Sequence, residues 1–119
     1  MGMSKLESLR IVCLFFEDDA LHSLSAITGL LKPYLGYDWR IEQDISLPAA
    51  LRLVNLDCPD KEAVRAAFGA SGQAIGCSLR PRQHPPGTIH YRPFRSYELL
   101  SVLKEIERMY CADAPLADE

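Results

Sequence analysis

Apolar residues along the chain form two kinds of pattern, continuous runs and stripes that repeat every three or four positions. The run at 9–16, LRIVCLFF, is typical of a strand that is buried on both faces. From Leu21 to Leu31 the apolar positions recur at helical spacing, with Asp18 or Asp19 placed to cap the first turn. The chain is therefore predicted to open with a strand followed directly by a helix.

The same alternation continues downstream. Residues 37–45 alternate polar and apolar positions, which predicts a second strand near a sheet edge, and 46–50 supports one helical turn at most. Apolar runs at 51–56 and 74–79 predict two more buried strands, and 88–91 a short fifth one. The remaining stripes predict a short helix burying Val64, Ala67 and Phe68, and a helix capped by Ser96 with Leu99, Leu103, Ile106 and Tyr110 on one face.

One segment interrupts the alternation. Residues 80–87, RPRQHPPG, contain three prolines and a glycine and predict a rigid, basic loop instead of a helix. The order of elements predicts an α/β fold with a doubly wound, mostly parallel five-stranded sheet, in which this loop replaces the fourth crossover helix. We expect an N-terminal extension at 1–8, one domain at 9–110 and a flexible acidic tail at 111–119.

Composition narrows the functional classes. A chain of 119 residues is the size of one domain, and a net charge of -3 gives no overall attraction to nucleic acid or anionic lipid. No apolar stretch is long enough to cross a bilayer and no signal peptide is recognisable, so we expect a cytoplasmic protein without membrane insertion. The four cysteines lack the spacing of a zinc site or a disulfide framework.

Candidate chemistry collects where the predicted strands end, because ligand sites in parallel sheets form at the carboxyl edge. These ends carry Glu17 and Asp18, then Asp57, then Ser78, then Arg92. Carboxylates are the ligands that Mg²⁺ prefers, and a neighbouring cation can neutralise a phosphoryl group. Acidic residues at strand ends also commonly cap the helix that follows, so each one taken alone has a simple structural explanation.

Taken together, these motifs resemble the receiver domain of bacterial two-component response regulators. The likeness is carried by Phe16-Glu17-Asp18-Asp19, by Leu53-Val54-Asn55-Leu56-Asp57 with Pro59-Asp60, by Ser78, and by Arg92-Pro93-Phe94 ahead of the last helix. The resemblance implies a flavodoxin-like sheet order and a Mg²⁺ ion held by Glu17, Asp18 and Asp57. It also implies that Asp57 is the phosphoacceptor, that Ser78 contacts the phosphoryl group, and that Arg92 stands in place of the family's lysine.

For the protein as a whole, the resemblance implies a histidine kinase or a downstream effector as partner, and no enzymatic activity beyond self-phosphorylation of Asp57 from a phosphodonor. Two departures change this picture: the fourth helix is missing, and the planar guanidinium of Arg92 replaces a compact ammonium. Because a phosphorylation switch needs a bistable element to bias, these departures favour a degenerate receiver, or pseudo-receiver, that acts by protein–protein interaction.

Two alternatives remain open. A nucleotide or cyclic dinucleotide could bind at the basic segment, where aromatic neighbours Tyr91 and Phe94 accompany four arginines: Arg80, Arg82, Arg92 and Arg95. The protein could instead be a small adaptor that forms homodimers or larger homo-oligomers through the surface of the fourth and fifth strands, which the missing helix would expose. A phosphorylation switch would require Asp57, nucleotide binding would depend on the arginines, and an adaptor would tolerate the loss of both.

Overall fold

The computed structural model describes residues 8–69 and 73–113. Its strands are β1 (Ser8–Leu14), β2 (Asp38–Glu42), β3 (Leu51–Asn55), β4 (Gln73–Ser78) and β5 (Ile89–His90). Its helices are α1 (Asp18–Leu31), α2 (Lys61–Gly69) and α3 (Ser96–Asp113), with short 3-10 turns at Lys32–Tyr34 and Pro81–Gln83. The strands form one sheet in the order β2-β1-β3-β4-β5, and every neighbouring pair is parallel. This confirms the predicted doubly wound, flavodoxin-like α/β fold.

No α-helix connects β2 to β3, and none connects β4 to β5. The carboxylate of Asp44 accepts hydrogen bonds from the backbone N–H and the hydroxyl of Ser46, and Arg10 donates to the carbonyl of Pro48 at 2.9 Å. These bonds hold the connection between β2 and β3 as a compact turn. Between β4 and β5 the proline-rich segment forms only the turn Pro81–Gln83, so the predicted replacement of the fourth crossover helix is confirmed.

The two faces of the sheet are covered unequally. On one face, α1 and α3 pack over the sheet around a large core whose fully buried members include Ile11, Leu24, Leu51, Leu53, Leu99 and Leu103. Each such side chain contributes roughly 1.5–3 kcal/mol to folding. On the other face, α2 alone packs in the part of the chain that the structure describes, over a small core of Val12, Leu14, Val54, Val64 and Ala67. The strand residues alternate between the two cores, as a strand requires.

Two details of the helices differ from the predictions. Glu17, not Asp18 or Asp19, is the N-cap of α1, and it makes no side-chain cap bond. The two aspartates lie in the first turn, where negative charge favours the helix dipole. Phe68 is 41% exposed instead of buried, because no crossover helix lies beside α2 to cover it.

The ends of the chain fit the predicted boundaries only in part. α3 continues to Asp113, so the first three residues of the predicted tail at 111–119 are helical. The rest of that tail, residues 1–7 of the predicted extension and the expected turn at 71–72 lie outside the described residues. Within the described ranges, no helix combines the length and the apolar character needed to span a membrane.

A buried carboxylate ties the end of α3 to the beginning of β2. Glu107 is buried, and its oxygens accept the backbone N–H groups of Gly36 and Tyr37 at 3.0–3.1 Å and the indole N–H of Trp39 at 2.8 Å. Burying a carboxylate is costly unless donors surround it, so this set of hydrogen bonds is what allows Glu107 to remain in the core.

Candidate functional site

Asp57 lies just after β3, at the carboxyl edge of the sheet, next to the end of β4. Its Oδ1 accepts the hydroxyl of Ser78 at 2.7 Å, and its Oδ2 accepts the backbone N–H of Leu79 at 2.9 Å. Ser78 is fully buried, and its oxygen also accepts the backbone N–H of Arg80 at 2.9 Å. The structure therefore brings together the predicted phosphoacceptor and the predicted hydroxyl, and it satisfies both oxygens of Asp57 internally.

The proline-rich loop reaches this cluster through His84. The Nε2 atom of His84 lies 3.8 Å from Oδ1 of Asp57, which is too long for a hydrogen bond but close enough for attraction when the imidazole is protonated. No role in this site was predicted for His84. Its position shows that the loop folds back over the ends of β3 and β4.

Asn55 organises the site, although no role was predicted for it. Its Nδ2 donates to the carbonyl of Phe15 at 3.0 Å and to the hydroxyl of Tyr91 at 3.4 Å, while its Oδ1 accepts the backbone N–H of Asp57 at 2.9 Å. One buried amide thus connects the ends of β1 and β3 with the residue after β5. The signal in the sequence was a polar residue closing the apolar run of β3.

Phe15 has an unusual backbone conformation at this edge. Its φ angle is 71°, in the left-handed region, and its side chain is 40% exposed. A residue other than glycine in this region costs about 1–3 kcal/mol unless the surroundings compensate. The bond from Asn55 to its carbonyl is one such compensation, and strain of this kind is concentrated at binding sites.

Glu17 and Arg92 form an ion pair with each other. An oxygen of Glu17 lies 3.0 Å from Nη1 of Arg92, and both side chains are exposed, so the pair contributes at most about 1 kcal/mol. Arg92 is the residue predicted to stand in for the family's lysine, and its guanidinium is directed to Glu17. Asp18 lies in the first turn of α1.

These positions bear on the predicted Mg²⁺ ion. A cation of this kind is bound by oxygen ligands arranged around it. Both oxygens of Asp57 accept protein hydrogen bonds, Glu17 is paired with Arg92, and residues 8–69 and 73–113 contain no group of three His, Cys, Asp or Glu side chains that could hold a metal ion. Because each oxygen of Asp57 accepts only one of these hydrogen bonds, a Mg²⁺ ion at Glu17, Asp18 and Asp57 stays a prediction.

The basic segment offers charge but no stacking platform from its two aromatic residues. Tyr91 and Phe94 are buried and pack against Phe16 and against each other, with ring centroids 5.2–6.2 Å apart. Their faces are therefore used inside the protein. Three of the four arginines, Arg80, Arg82 and Arg95, are exposed, and their guanidinium groups have no partner among the described residues.

Two grooves flank α2 on the sparsely covered face of the sheet. The β4 groove, about 350 Å³, lies between Phe68, β4 and the loop residues 84–88. The β1 groove, about 530 Å³, lies between Ala66 of α2, Phe15 and Ile45. A doubly wound sheet normally carries helices on both faces, so the grooves lie where this chain has loops in place of crossover helices.

Comparison with known proteins does not identify the chain. No protein-family model, no curated protein and no solved structure matches it.

Proposed function

We propose that the protein is an atypical, cytoplasmic receiver-like signalling module that acts by protein–protein contact and is not switched by phosphorylation of Asp57. The observation that carries this proposal is the bonding of the Asp57 carboxylate to Ser78 and to the Leu79 N–H. A carboxylate nucleophile must offer a free lone pair beside a group that neutralises the phosphoryl charge. Here each oxygen already accepts one hydrogen bond, which makes it a weaker nucleophile, and the predicted cation, Arg92, is paired with Glu17.

The β4 groove is the contact surface in this proposal. Phe68 is exposed beside Leu56, Ala74 and the loop residues 84–88, which form an apolar concave surface with a proline-rich wall. Exposed apolar patches of this kind are typical of sites where another protein binds. A signalling partner, either a histidine kinase or a downstream effector, would cover the position that a crossover helix occupies in a complete doubly wound fold.

An amide NMR titration tests the proposal that Asp57 does not accept a phosphoryl group. Mg²⁺ followed by beryllofluoride, which mimics an aspartyl phosphate, should leave the amide signals of Asp57, Ser78 and Leu79 unchanged in the folded protein. The Asp57→Asn variant provides the baseline for nonspecific shifts. Shifts confined to these residues in the wild type and absent from the variant would mean that Asp57 accepts a phosphoryl group.

A cross-linking experiment in cells tests the contact surface. A signalling protein captured by the wild type should be lost with Phe68→Glu and retained with Asp57→Asn. Leu30→Glu is the matched control, because Leu30 is an exposed leucine on α1, on the opposite face of the sheet. Equal capture by all variants would exclude the β4 groove as the contact surface.

The unpaired guanidinium groups support a second candidate function, the binding of a nucleotide or cyclic dinucleotide. Arginines recognise phosphate through paired N–H donors, and Arg80, Arg82 and Arg95 are all exposed. Calorimetry with cyclic dinucleotides would test this candidate. Binding that disappears in the double variant Arg80→Ala, Arg82→Ala would establish it, and no heat in the wild type would exclude it.

The homo-oligomer alternative uses the β4 groove with a second copy of the chain as partner. Sedimentation of the purified protein separates it from the main proposal. A dimer in the wild type that becomes a monomer with Phe68→Glu, and persists with Leu30→Glu, would favour self-association. A monomer in all three would leave a different protein as the partner.

A further inference from the structure

The β1 groove has the size and lining of a small-molecule site. Its volume of about 530 Å³ falls within the range of roughly 300–1,000 Å³ found for ligand pockets. The loop after β1 contributes Phe15, the loop after β2 contributes Ile45, and α2 contributes the small side chains of Ala63 and Ala66. Ile45 is 64% exposed, so a large apolar side chain stands at the mouth of the groove without cover.

The walls of the groove are fixed by the fold. The turn of Asp44 with Ser46 holds the neighbouring Ile45, and the bond from Asn55 holds the left-handed backbone of Phe15. The groove also lies at the carboxyl ends of β1 and β2, beside the point where the strand order reverses. Ligands of open α/β sheets bind at this position, and walls that are already fixed reduce the entropy lost on binding.

The polar groups of the lining indicate what the ligand carries. Arg52 is the charged residue of the lining, and Gln43 adds an amide. Arg52 also makes an interaction within the protein, but a guanidinium has five N–H donors and can donate to a further partner. Arginine pairs with carboxylates through two parallel hydrogen bonds. Asp44, the acidic neighbour of Gln43, is turned to Ser46.

From this lining we propose that the β1 groove binds a small amphipathic anion, a molecule with an aliphatic or aromatic body and a single carboxylate. The apolar body lies against Phe15, Ile45 and the alanines of α2, and the carboxylate is bound by Arg52. The site is on the opposite side of α2 from the β4 groove, so it does not depend on the proposed contact surface.

Amide NMR titrations with decanoate and with decan-1-ol test the proposal, because the two probes share an apolar body and differ in charge. Decanoate should shift the signals of Phe15, Gln43, Ile45 and Ala66, and bind at least tenfold more tightly than decan-1-ol. Ala66→Trp fills the groove and should abolish the shifts from both probes. Ala26→Trp, an equal change at an exposed alanine of α1, should leave binding unchanged.

Arg52→Gln tests recognition of the charge. This variant should bind decanoate at least tenfold more weakly than the wild type and bind decan-1-ol with unchanged affinity. Arg52→Lys should restore part of the affinity for decanoate. Unchanged binding of decan-1-ol also shows that the Arg52→Gln variant is folded. Equal affinity for the two probes would overturn the proposed anion recognition. Shifts that map elsewhere, or that persist in Ala66→Trp, would overturn the site itself.

Discussion

The carboxylate of Glu107 accepts the indole N–H of Trp39 at 2.8 Å, although the two residues are 68 positions apart in the chain. The same carboxylate accepts the backbone N–H groups of Gly36 and Tyr37. It therefore supplies acceptors for the turn that leads from α1 into the edge strand β2. α3 contributes to this fold through its apolar stripe and through this buried acid.

We predict that Glu107→Gln lowers the free energy of unfolding by about 1–3 kcal/mol, because an amide keeps one acceptor and turns two N–H groups toward the donors that remain. Urea denaturation followed by circular dichroism measures this change without relying on Trp39 fluorescence. Glu105→Gln is the control, since Glu105 forms only an exposed pair with Arg108. Equal losses in both variants would contradict a special role for Glu107.

Ser78→Ala is expected to be similarly destabilising, by about 1–3 kcal/mol, because it removes the donor to Asp57 and the acceptor for the N–H of Arg80 in a fully buried position. Ser101→Ala, at an exposed position of α3, should change stability by less than about 0.5 kcal/mol. A neutral Ser78→Ala would show that the contact with Asp57 is not maintained in solution.

The main elements of the fold could be predicted from the sequence because their signals are local. The apolar run of β1 needs burial on both faces whatever surrounds it, and the prolines of 80–87 exclude a helix on steric grounds alone. The burial of Phe68 was predicted wrongly for a physical reason. Periodicity shows that a side chain lies on a helix face, but not whether a neighbouring element covers it.

The site was less predictable than the fold. Asp57 and Ser78 are brought together by the parallel pairing of β3 with β4, which the order of strands anticipates. The pairing of Arg92 with Glu17 and the bonds of Asn55 to Phe15 and Tyr91 join residues at least 36 positions apart. Contacts of this range depend on the final geometry of the loops, for which the sequence has no local signal.

The strain at Phe15 gives a prediction that separates the effect of the backbone conformation on stability from the effect of the side chain. Phe15→Ala and Phe15→Gly both remove the ring, but only glycine adopts a φ of 71° without a penalty. The glycine variant should therefore be more stable than the alanine variant by about 1 kcal/mol, as measured by urea denaturation. Equal stability would mean that the backbone relaxes out of the left-handed region once the ring is absent.

Because two thiols are buried, we expect the protein to lose stability at high pH. Burial raises the pKa of Cys13 from 9.0 to about 12, and burial, with smaller effects from the charges of Cys13 and Glu98, raises the pKa of Cys77. Below pH 9 the thiols are protonated in both the folded and unfolded chains, so their contribution does not vary with pH. Above it the unfolded chain releases protons that the folded protein retains, which favours unfolding.

For Cys13 alone, the loss between pH 9 and pH 12 amounts to roughly 4 kcal/mol, since each pKa unit corresponds to about 1.4 kcal/mol. Denaturation series at several pH values should show a smaller decline in Cys13→Ala than in the wild type. The comparison cancels the titration of tyrosines and lysines that both proteins share, and the cavity left by alanine lowers stability equally at every pH. Parallel declines in the two proteins would contradict a buried, protonated Cys13.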